Sequence, residues 1–198
     1  MKIGIYGGSF DPPHKGHVIA AKRLIELFKF DEVWLMPCYK HPFSKKLSPP
    51  NDRFKMTKFL ENKTIKTSDF EVKKKTISYT IDTLKSLAKL FPKNEFFWII
   101  GSDQANSFTR WKKWKEIIEK FKLVIVPRNG IKQTGEKIKE ILKTIGHQGN
   151  IIIVDKKNFP PIYISSSEIR KKIKNGKTVS DIMPKNIERY IIKHKLYL

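Results

Sequence analysis

Hydrophobic residues fall into short runs and into stripes with a spacing of three or four residues, and the two patterns alternate along the chain. The runs predict six β-strands, at 2–6, 32–37, 65–68, 95–100, 123–127 and 151–154. The stripes predict helices at 18–28, 81–91 and 138–145. Strands that alternate with helices are typical of an α/β fold, in which helices cover both faces of a doubly wound parallel sheet.

A parallel sheet of this kind binds ligands beyond the carboxyl ends of its strands. Three polar segments directly follow predicted strands, at 7–17, 101–103 and 127–130. All three are expected at the same rim of the sheet. This rim is therefore the predicted site.

The pattern after the last strand predicts a small helical part. Two short helical patterns, at 168–174 and 184–194, lie in a segment that is too short for a domain. We therefore expect one domain at 1–198, with a core at about 1–158 and a C-terminal helical extension at about 159–198 that packs on the sheet. The proline-containing stretch 38–50 predicts a long loop, and loops of that length are usually functional or mobile.

Composition narrows the class of protein. Hydrophobic residues make up 39% of the chain and thirteen residues are Phe, which argues for a packed core. No apolar run is long enough to cross a membrane, so no membrane partner is expected. The one cysteine, Cys38, excludes an internal disulfide bond and fits a reducing, cytoplasmic location.

The net charge of +22 would attract polyanions. The excess is nearly all lysine, because only six arginines occur, and the lysines are spread along almost every predicted helix. A solvated basic surface accounts for this distribution better than a dedicated nucleic-acid surface, so no specific nucleic-acid partner is expected. The alternative to an enzyme is a basic module that binds nucleic acid.

The stretch GGSFDPPHKGH at 7–17 has the chemistry of a phosphate site. Gly7 and Gly8 allow a ligand to approach the backbone where the first strand ends. Gly16 does the same at the start of the next helix, whose free N–H groups favour an anion. His14 and His17 are three residues apart, so they can point to one side and donate hydrogen bonds to phosphate oxygens.

A zinc site and a solvated turn are the alternatives for this stretch, and both fit it less well. Zinc would need further Cys or His ligands at metal spacing, and a solvated turn needs neither two histidines nor three glycines. The early glycines do not form G-x-G-x-x-G, and the Gly-Lys-Thr at 176–178 has Lys171 where a P-loop requires glycine. We predict no metal ligand among the side chains.

A second stretch, ISSSEIR at 164–170, predicts a helix start with Ser166 or Ser167 as the N-cap. Arg170 would then lie in the first turn, beside free backbone donors. Taken by itself, this stretch fits ordinary capping with an exposed arginine equally well. Together with the first stretch, it predicts a second phosphate-binding helix start.

Both stretches resemble the signatures of a known family, the nucleotidyltransferases with an H-x-G-H motif, which here is His14-Lys15-Gly16-His17. Four shorter segments narrow the resemblance to nicotinate-nucleotide adenylyltransferases of the bacterial type. They are SYTIDTLK at 78–85, IIGSDQ at 99–104, RWKKW at 110–114 and YIIKHKLY at 190–197. The resemblance extends over the whole chain and implies a Rossmann-like sheet.

The resemblance implies an enzyme of NAD biosynthesis that transfers the adenylyl group of ATP to nicotinate mononucleotide and releases pyrophosphate. The attacking phosphate oxygen is already ionised at neutral pH, so no catalytic base is required and direct in-line attack is expected. Catalysis would depend on positioning and on stabilisation of charge, with Mg²⁺ entering together with ATP.

The resemblance also assigns roles to residues. His14, His17 and Arg170 would be catalytic, through contacts with the ATP phosphates. The rest of the ATP site would consist of Gly7, Gly8, Ser9, Phe10, Gly16, Asp103, Ser166 and Ser167. The mononucleotide site would consist of Thr80, Trp111, Lys112, Lys45 and Lys46.

One segment departs from the family pattern. The family commonly has Pro-Pro-His-Lys after its second strand, whereas this chain has CYKHPFSKK at 38–46, with Phe43 near the expected His. His41, Lys45 and Lys46 are the candidates to replace that histidine.

Several alternatives stay open within the superfamily. The preferred acceptor could be nicotinamide mononucleotide, or the chain could be a phosphopantetheine adenylyltransferase or a cytidylyltransferase. The Ser-Tyr-Thr and Arg-Trp segments weigh against the last two. The oligomeric state is also open, with a homo-oligomer among the options.

Overall fold

The computed structural model describes residues 1–43, 46–127 and 150–198. Six strands of this part form one sheet in the order β3-β2-β1-β4-β5-β6, and every neighbouring pair is parallel. The strands are β1 Lys2–Gly8, β2 Glu32–Pro37, β3 Ile65–Thr67, β4 Glu95–Gly101, β5 Lys122–Val126 and β6 Ile151–Ile153. This is the strand order of the doubly wound Rossmann-like fold, so the predicted fold class is confirmed.

Helices connect the strands and follow the last of them. They are α1 Lys15–Phe28, α2 Pro50–Lys58, α3 Phe70–Lys74, α4 Thr80–Leu90, α5 Ser102–Ala105, a 3₁₀ turn at Phe108–Arg110, α6 Trp114–Lys120, α7 Ser166–Lys174 and α8 Lys185–Lys193. No helix of the described ranges is both long enough and apolar enough to cross a membrane.

Each of the six predicted strands is observed, and the helices predicted at 18–28, 81–91, 168–174 and 184–194 correspond to α1, α4, α7 and α8. The helix predicted at 138–145 and positions 128–130 of the rim lie outside the described residues. Helices α2, α3, α5 and α6 were not predicted from the pattern. They are short or strongly polar, and a helix of one or two turns does not produce a readable stripe.

The core lies on both faces of the sheet. Along β4, Phe97 and Ile99 contribute to one hydrophobic cluster, and Trp98 and Ile100 contribute to the other. Helix α1 packs on the first face, and α4 and α6 supply residues to the second. Because both faces are covered, the strands appear in the sequence as continuous hydrophobic runs.

The segment after β6 packs on the same face of the sheet as α1. Ile169, Met183, Ile187 and Ile191 belong to one buried cluster with Leu24 of α1. The segment also reaches the start of α1, where the Lys15 amide donates to the Ile182 carbonyl at 3.1 Å. These contacts bring α7 beside the first stretch of the sequence that was predicted to bind phosphate.

The carboxyl ends of β1 and β4 meet in the middle of the sheet. These strands are neighbours, although the chain continues from β1 toward β2 on one side and from β4 toward β5 on the other. A crevice opens at such a switch point, and ligands of doubly wound sheets bind there. Gly8 and Gly101, the last residues of the two strands, lie at this point.

Candidate functional site

A cavity of about 660 Å³ opens at the switch point. Gly7 and Gly8 of β1 line one side of it, and Trp98 of β4 and Asp103 of α5 line another. Thr80, the first residue of α4, also lines the cavity. Volumes of this size are typical of pockets for small ligands. The rim predicted from the sequence therefore contains a cavity of the size that small ligands occupy.

The ring of Trp98 forms part of the cavity wall and lies directly against Gly7. A Cβ atom on Gly7 would lie 2.5 Å from Cζ2 of Trp98, and the tryptophan is buried. Any side chain at position 7 would therefore displace a packed ring. Trp98 was not predicted as a site residue, because in the sequence it is one of a run of hydrophobic strand residues.

His14 and His17 lie together at the start of α1, where His14 is the N-cap. Their ring centroids are 3.8 Å apart, and both side chains are buried. The Nδ1 atom of His17 accepts a hydrogen bond from the His14 amide at 3.1 Å. An imidazole that accepts at Nδ1 carries its proton at Nε2, so His17 has an N–H donor on the opposite edge of its ring.

Gly16 and Phe10 shape the surroundings of these histidines. A Cβ atom on Gly16 would lie 2.9 Å from Nδ1 of His14, so glycine leaves the space that this ring occupies. The ring of Phe10 is buried, and its centroid is 4.8 Å from that of His17. Phe10 therefore supports a histidine, and its side chain belongs to the core.

Helix α7 begins at Ser166, two residues before the predicted range 168–174. Its N-cap is Ser165, whose hydroxyl accepts a hydrogen bond from the Glu168 amide at 3.2 Å. The prediction of an N-cap at Ser166 or Ser167 was wrong, and Arg170 lies in the second turn of α7. The reason is that Ser166 and Ser167 have other partners.

Those partners join α7 to the first stretch. The Ser166 hydroxyl donates to the Pro12 carbonyl at 2.8 Å, and Arg170 Nη1 donates to the Asp11 carbonyl at 2.6 Å. Arg170 Nη2 also donates to the hydroxyl of Ser167 at 3.2 Å. The two helix starts that were predicted separately thus lie side by side.

A smaller cleft of about 40 Å³ lies beside the two histidines. His14, Gly16 and His17 line it, together with Val126 and Ile164. Gly7 and Gly8 open to the larger cavity, whereas the histidines open to the smaller cleft. A single stretch of chain therefore separates two spaces.

Of the residues predicted to bind the mononucleotide, Thr80, Trp111 and Lys112 line the larger cavity. The Lys112 ammonium lies 2.8 Å from Asp82 Oδ2 and 4.7 Å from the centroid of the Tyr79 ring, so its charge is paired. The Trp111 amide donates to the Phe108 carbonyl at 3.0 Å, so this N–H group already has an acceptor within the protein.

The loop after β2 places one of the three candidates for the missing family histidine at the cavity. His41 lines the larger cavity, and its Nδ1 accepts from the Phe43 amide at 3.1 Å. Lys46 is exposed and is not part of the cavity wall, and Lys45 lies outside the described residues. Arg110, which was not predicted, lines the cavity with its guanidinium 5.2 Å from the Phe43 ring centroid.

Arg53 of α2 joins the loops that follow β1 and β2 through hydrogen bonds to their backbone carbonyls. It is 0% exposed and donates to the carbonyls of Ser9 at 2.7 Å and Ser48 at 2.9 Å. It also donates to the carbonyls of Cys38 at 2.7 Å and Tyr39 at 3.0 Å. Ser9, predicted to support ATP, is thus held through its backbone by a residue that the pattern does not reveal.

Burial favours the protonated form of two acids in the cavity wall, Glu71 and Cys38. It raises the pKa of the Glu71 carboxyl, although the hydrogen bond that Thr83 donates to it at 2.7 Å opposes the shift. Burial also raises the pKa of the Cys38 thiol. A raised pKa disfavours the thiolate form that a cysteine nucleophile needs.

Comparison with known proteins identifies the family. Residues 5–172 match the Cytidylyltransferase-like family. A Dictyoglomus thermophilum protein named "Probable nicotinate-nucleotide adenylyltransferase" is 34% identical over an alignment of 201 positions that covers 100% of each chain. The chain belongs to the nicotinate-nucleotide adenylyltransferase family. A Shewanella pealeana protein of the same name is 34% identical over 210 residues, covering 100% of this chain and 96% of that one.

Solved structures agree with this assignment. Plasmodium falciparum nicotinic acid mononucleotide adenylyltransferase complexed with NaAD has a TM-score of 0.79 and 25% identity, covering 99% of this chain and 97% of that chain. The structure of the same protein complexed with APC, at 24% identity and a TM-score of 0.76, supports the fold. The resemblance drawn from the motifs is confirmed, and the chain is an enzyme of the nucleotidyltransferase class.

Proposed function

We propose that this enzyme transfers the adenylyl group of ATP to nicotinate mononucleotide, giving nicotinate adenine dinucleotide and pyrophosphate in NAD biosynthesis. The observation that carries the proposal is the junction of α1 and α7 through Asp11 and Pro12, beside a cavity of about 660 Å³. The names of the full-length relatives support the same acceptor.

The two substrates would meet at the stretch of chain between the larger cavity and the two histidines. The mononucleotide would occupy the larger cavity, with its pyridine ring near Thr80 and Trp111. The triphosphate would lie on the side of His14, His17 and Arg170. Its α-phosphorus would then be next to Gly7 and Gly8, where a side chain would block the approach of the acceptor.

The reaction needs no protein nucleophile and no base. An ionised phosphate oxygen of the mononucleotide forms a bond to the α-phosphorus of ATP, and the bond from that phosphorus to the bridging oxygen of the β-phosphate breaks. The electron pair leaves with pyrophosphate. The Nε2–H of His17 and the guanidinium of Arg170 would stabilise the charge that develops on the phosphate oxygens.

Mg²⁺ belongs to the proposal as a companion of ATP. Within residues 1–43, 46–127 and 150–198, no group of three or more His, Cys, Asp or Glu could hold a metal ion. Mg²⁺ in sites for nucleotide phosphates usually takes one or two protein carboxylates, and phosphate oxygens and water supply its other ligands. Asp103, which lines the cavity, is a carboxylate of that kind. When bound, the ion would neutralise charge on the phosphates.

The reaction is tested by measuring pyrophosphate release from ATP and Mg²⁺ with a panel of acceptors. We expect release with nicotinate mononucleotide and none with phosphopantetheine. A parallel assay with CTP in place of ATP should give no product. Release with phosphopantetheine and not with pyridine mononucleotides would assign the chain to a different reaction of the superfamily.

We expect nicotinate mononucleotide to be preferred over its amide by roughly 10–100-fold in kcat/KM, the effect of one charge-assisted hydrogen bond. Helix α4 begins at Thr80, so its first N–H groups have no intrahelical acceptor and favour a carboxylate. The measurement is steady-state kinetics with both mononucleotides. Equal values, or a preference for the amide, would contradict the proposed pocket.

A pair of lysine variants locates the source of this preference. Lys112→Met should reduce it, because Lys112 at the cavity pairs with Asp82 in the first turn of α4, and an unpaired Asp82 carboxylate would repel the carboxylate of the acid. Lys113→Met should not, because the Lys113 side chain is 60% exposed and Lys113 does not line the cavity. Identical effects of the two substitutions would show that general surface charge, and not the pocket, selects the acid.

A further inference from the structure

The segment YIIKHKLY at 190–197 contains two tyrosines that the proposed reaction does not use. The Tyr197 hydroxyl donates to Asp11 Oδ1 at 2.6 Å, and the Tyr190 hydroxyl donates to Asp52 Oδ1 at 2.7 Å. Asp11 belongs to the stretch that bears the two histidines, whereas Asp52 belongs to α2. The two tyrosines therefore make the same kind of bond at different distances from the phosphate site.

Asp11 connects Tyr197 to the arginine that we place on the phosphates. The residue is 3% exposed, and its second carboxylate oxygen accepts from the Ser48 amide at 3.4 Å, a long hydrogen bond. Its main-chain carbonyl accepts from Arg170 Nη1 at 2.6 Å. The buried carboxylate thus depends on the tyrosine for its short hydrogen bond.

The hydrogen bond from the Tyr197 hydroxyl to Asp11 bears on the position of the Arg170 guanidinium, which contacts the same residue. A tyrosine hydroxyl is protonated at neutral pH, and burial and, second, the charge of Asp11 raise the pKa of Tyr197 further. A buried carboxylate that lost this donor would attract the nearest cation. Arg170 already contacts Asp11 through its main-chain carbonyl. Without the hydrogen bond from Tyr197, the Asp11 carboxylate would therefore attract this guanidinium away from a phosphate.

We propose that Tyr197 is a positioning residue for ATP: its hydrogen bond to Asp11 keeps the Asp11 carboxylate from recruiting Arg170, and so keeps that guanidinium directed at the triphosphate. The inference rests on the proposed function for the place of ATP beside Arg170. It does not depend on the identity of the acceptor.

The test is Tyr197→Phe, which removes only the hydroxyl. We expect about a tenfold weaker binding of ATP, measured by calorimetry without acceptor, and a similar loss in kcat/KM for ATP. The KM for the mononucleotide should not change, because Tyr197 does not line the larger cavity. Tyr190→Phe is the matched control, since it removes the same group from the same segment and should leave ATP binding unaltered.

A second substitution separates positioning from simple loosening of the fold. Asp11→Asn in the Tyr197→Phe background removes the charge that would attract Arg170, and it should restore most of the affinity for ATP. If Tyr197 were only structural, the double variant would be no better than the single one, and both substrates would be affected together. That result, or equal ATP affinity in the two Tyr→Phe variants, would overturn the inference.

The same measurements distinguish a failure of this inference from a failure of the proposed function. If the wild-type enzyme released no pyrophosphate with nicotinate mononucleotide, the acceptor would be wrong. The calorimetric comparison of Tyr197→Phe with Tyr190→Phe would still decide the role of Tyr197, because it uses ATP alone.

Discussion

His17→Ala is expected to lower kcat by about 10²–10³-fold, the effect of removing one donor that acts on developing charge. The ring of His17 is held between His14 and Phe10, and its Nδ1 accepts from the His14 amide. Its Nε2–H is therefore presented in a fixed direction before any substrate binds. Such a donor stabilises the transition state without reorganisation, and alanine removes it completely.

Substitutions of Arg170 also test whether fixed donors stabilise the charge that develops on the phosphates. Arg170→Ala should cause a loss of similar size, and Arg170→Lys should recover only part of it. A lysine has one ammonium, whereas the guanidinium reaches the Asp11 carbonyl and the Ser167 hydroxyl while keeping other N–H groups for a phosphate.

The measurement is steady-state kinetics with ATP as the varied substrate, together with thermal unfolding to show that each variant is folded. His17→Gln is the useful companion to His17→Ala, because its amide keeps an N–H donor of similar reach and should retain part of the activity. Normal turnover in folded His17→Ala would remove this histidine from the mechanism.

Arg53→Ala is expected to lower the melting temperature by roughly 6–12 °C, which corresponds to about 3 kcal/mol for a chain of this size. The guanidinium donates to four backbone carbonyls and is 0% exposed. Each buried carbonyl that loses its partner costs about 1–3 kcal/mol. Partial access of water to the vacated space would recover some of this, so the sum of the four is an upper limit.

Loss of the Arg53 hydrogen bonds should also disturb the loops that line the proposed active site. The carbonyls of Ser9, Cys38 and Tyr39 belong to the loops after β1 and β2, and the Tyr39 amide in turn donates a hydrogen bond to the Ser78 hydroxyl. Binding of both substrates should therefore weaken in Arg53→Ala. Arg53→Lys should fall between the wild type and the alanine variant, because an ammonium has three donors and cannot span four carbonyls.

The control is Arg189→Ala, which removes an exposed arginine of α8 and should change the melting temperature by little. Thermal unfolding of the three variants decides the matter. A melting temperature for Arg53→Ala equal to that of Arg189→Ala would show that the loops do not depend on the buried guanidinium.

Local sequence was sufficient to predict the sheet and the region of the site. Strands with both faces covered are continuous hydrophobic runs, and this pattern depends on local composition alone. The phosphate site predicted at His14, Gly16 and His17 also depends on local sequence, because the first N–H groups of a helix favour an anion wherever that helix lies. The two phosphate-binding helix starts stay a prediction, and the one at 164–170 depended on the first stretch as well as on its own residues.

The way in which these parts are held together depends on contacts between distant segments, which no local pattern reveals. The pattern around Arg53, PNDRFKMTK, has the low hydrophobicity of a surface helix, yet the arginine is fully buried, because it binds carbonyls of the loop after β1 and of the loop between β2 and α2. Asp11 and Tyr197 are 186 positions apart in the chain, and their hydrogen bond exists because the segment after β6 folds back onto α1.

The cap of α7 shows the same limit on a smaller scale. The sequence predicted Ser166 or Ser167 as the cap, although Ser165 has the same capping propensity. Ser165 became the cap because the hydroxyls of Ser166 and Ser167 are engaged by Pro12 and Arg170. Propensity acts within a few residues, whereas the choice among equal candidates depends on contacts that form only when distant segments meet.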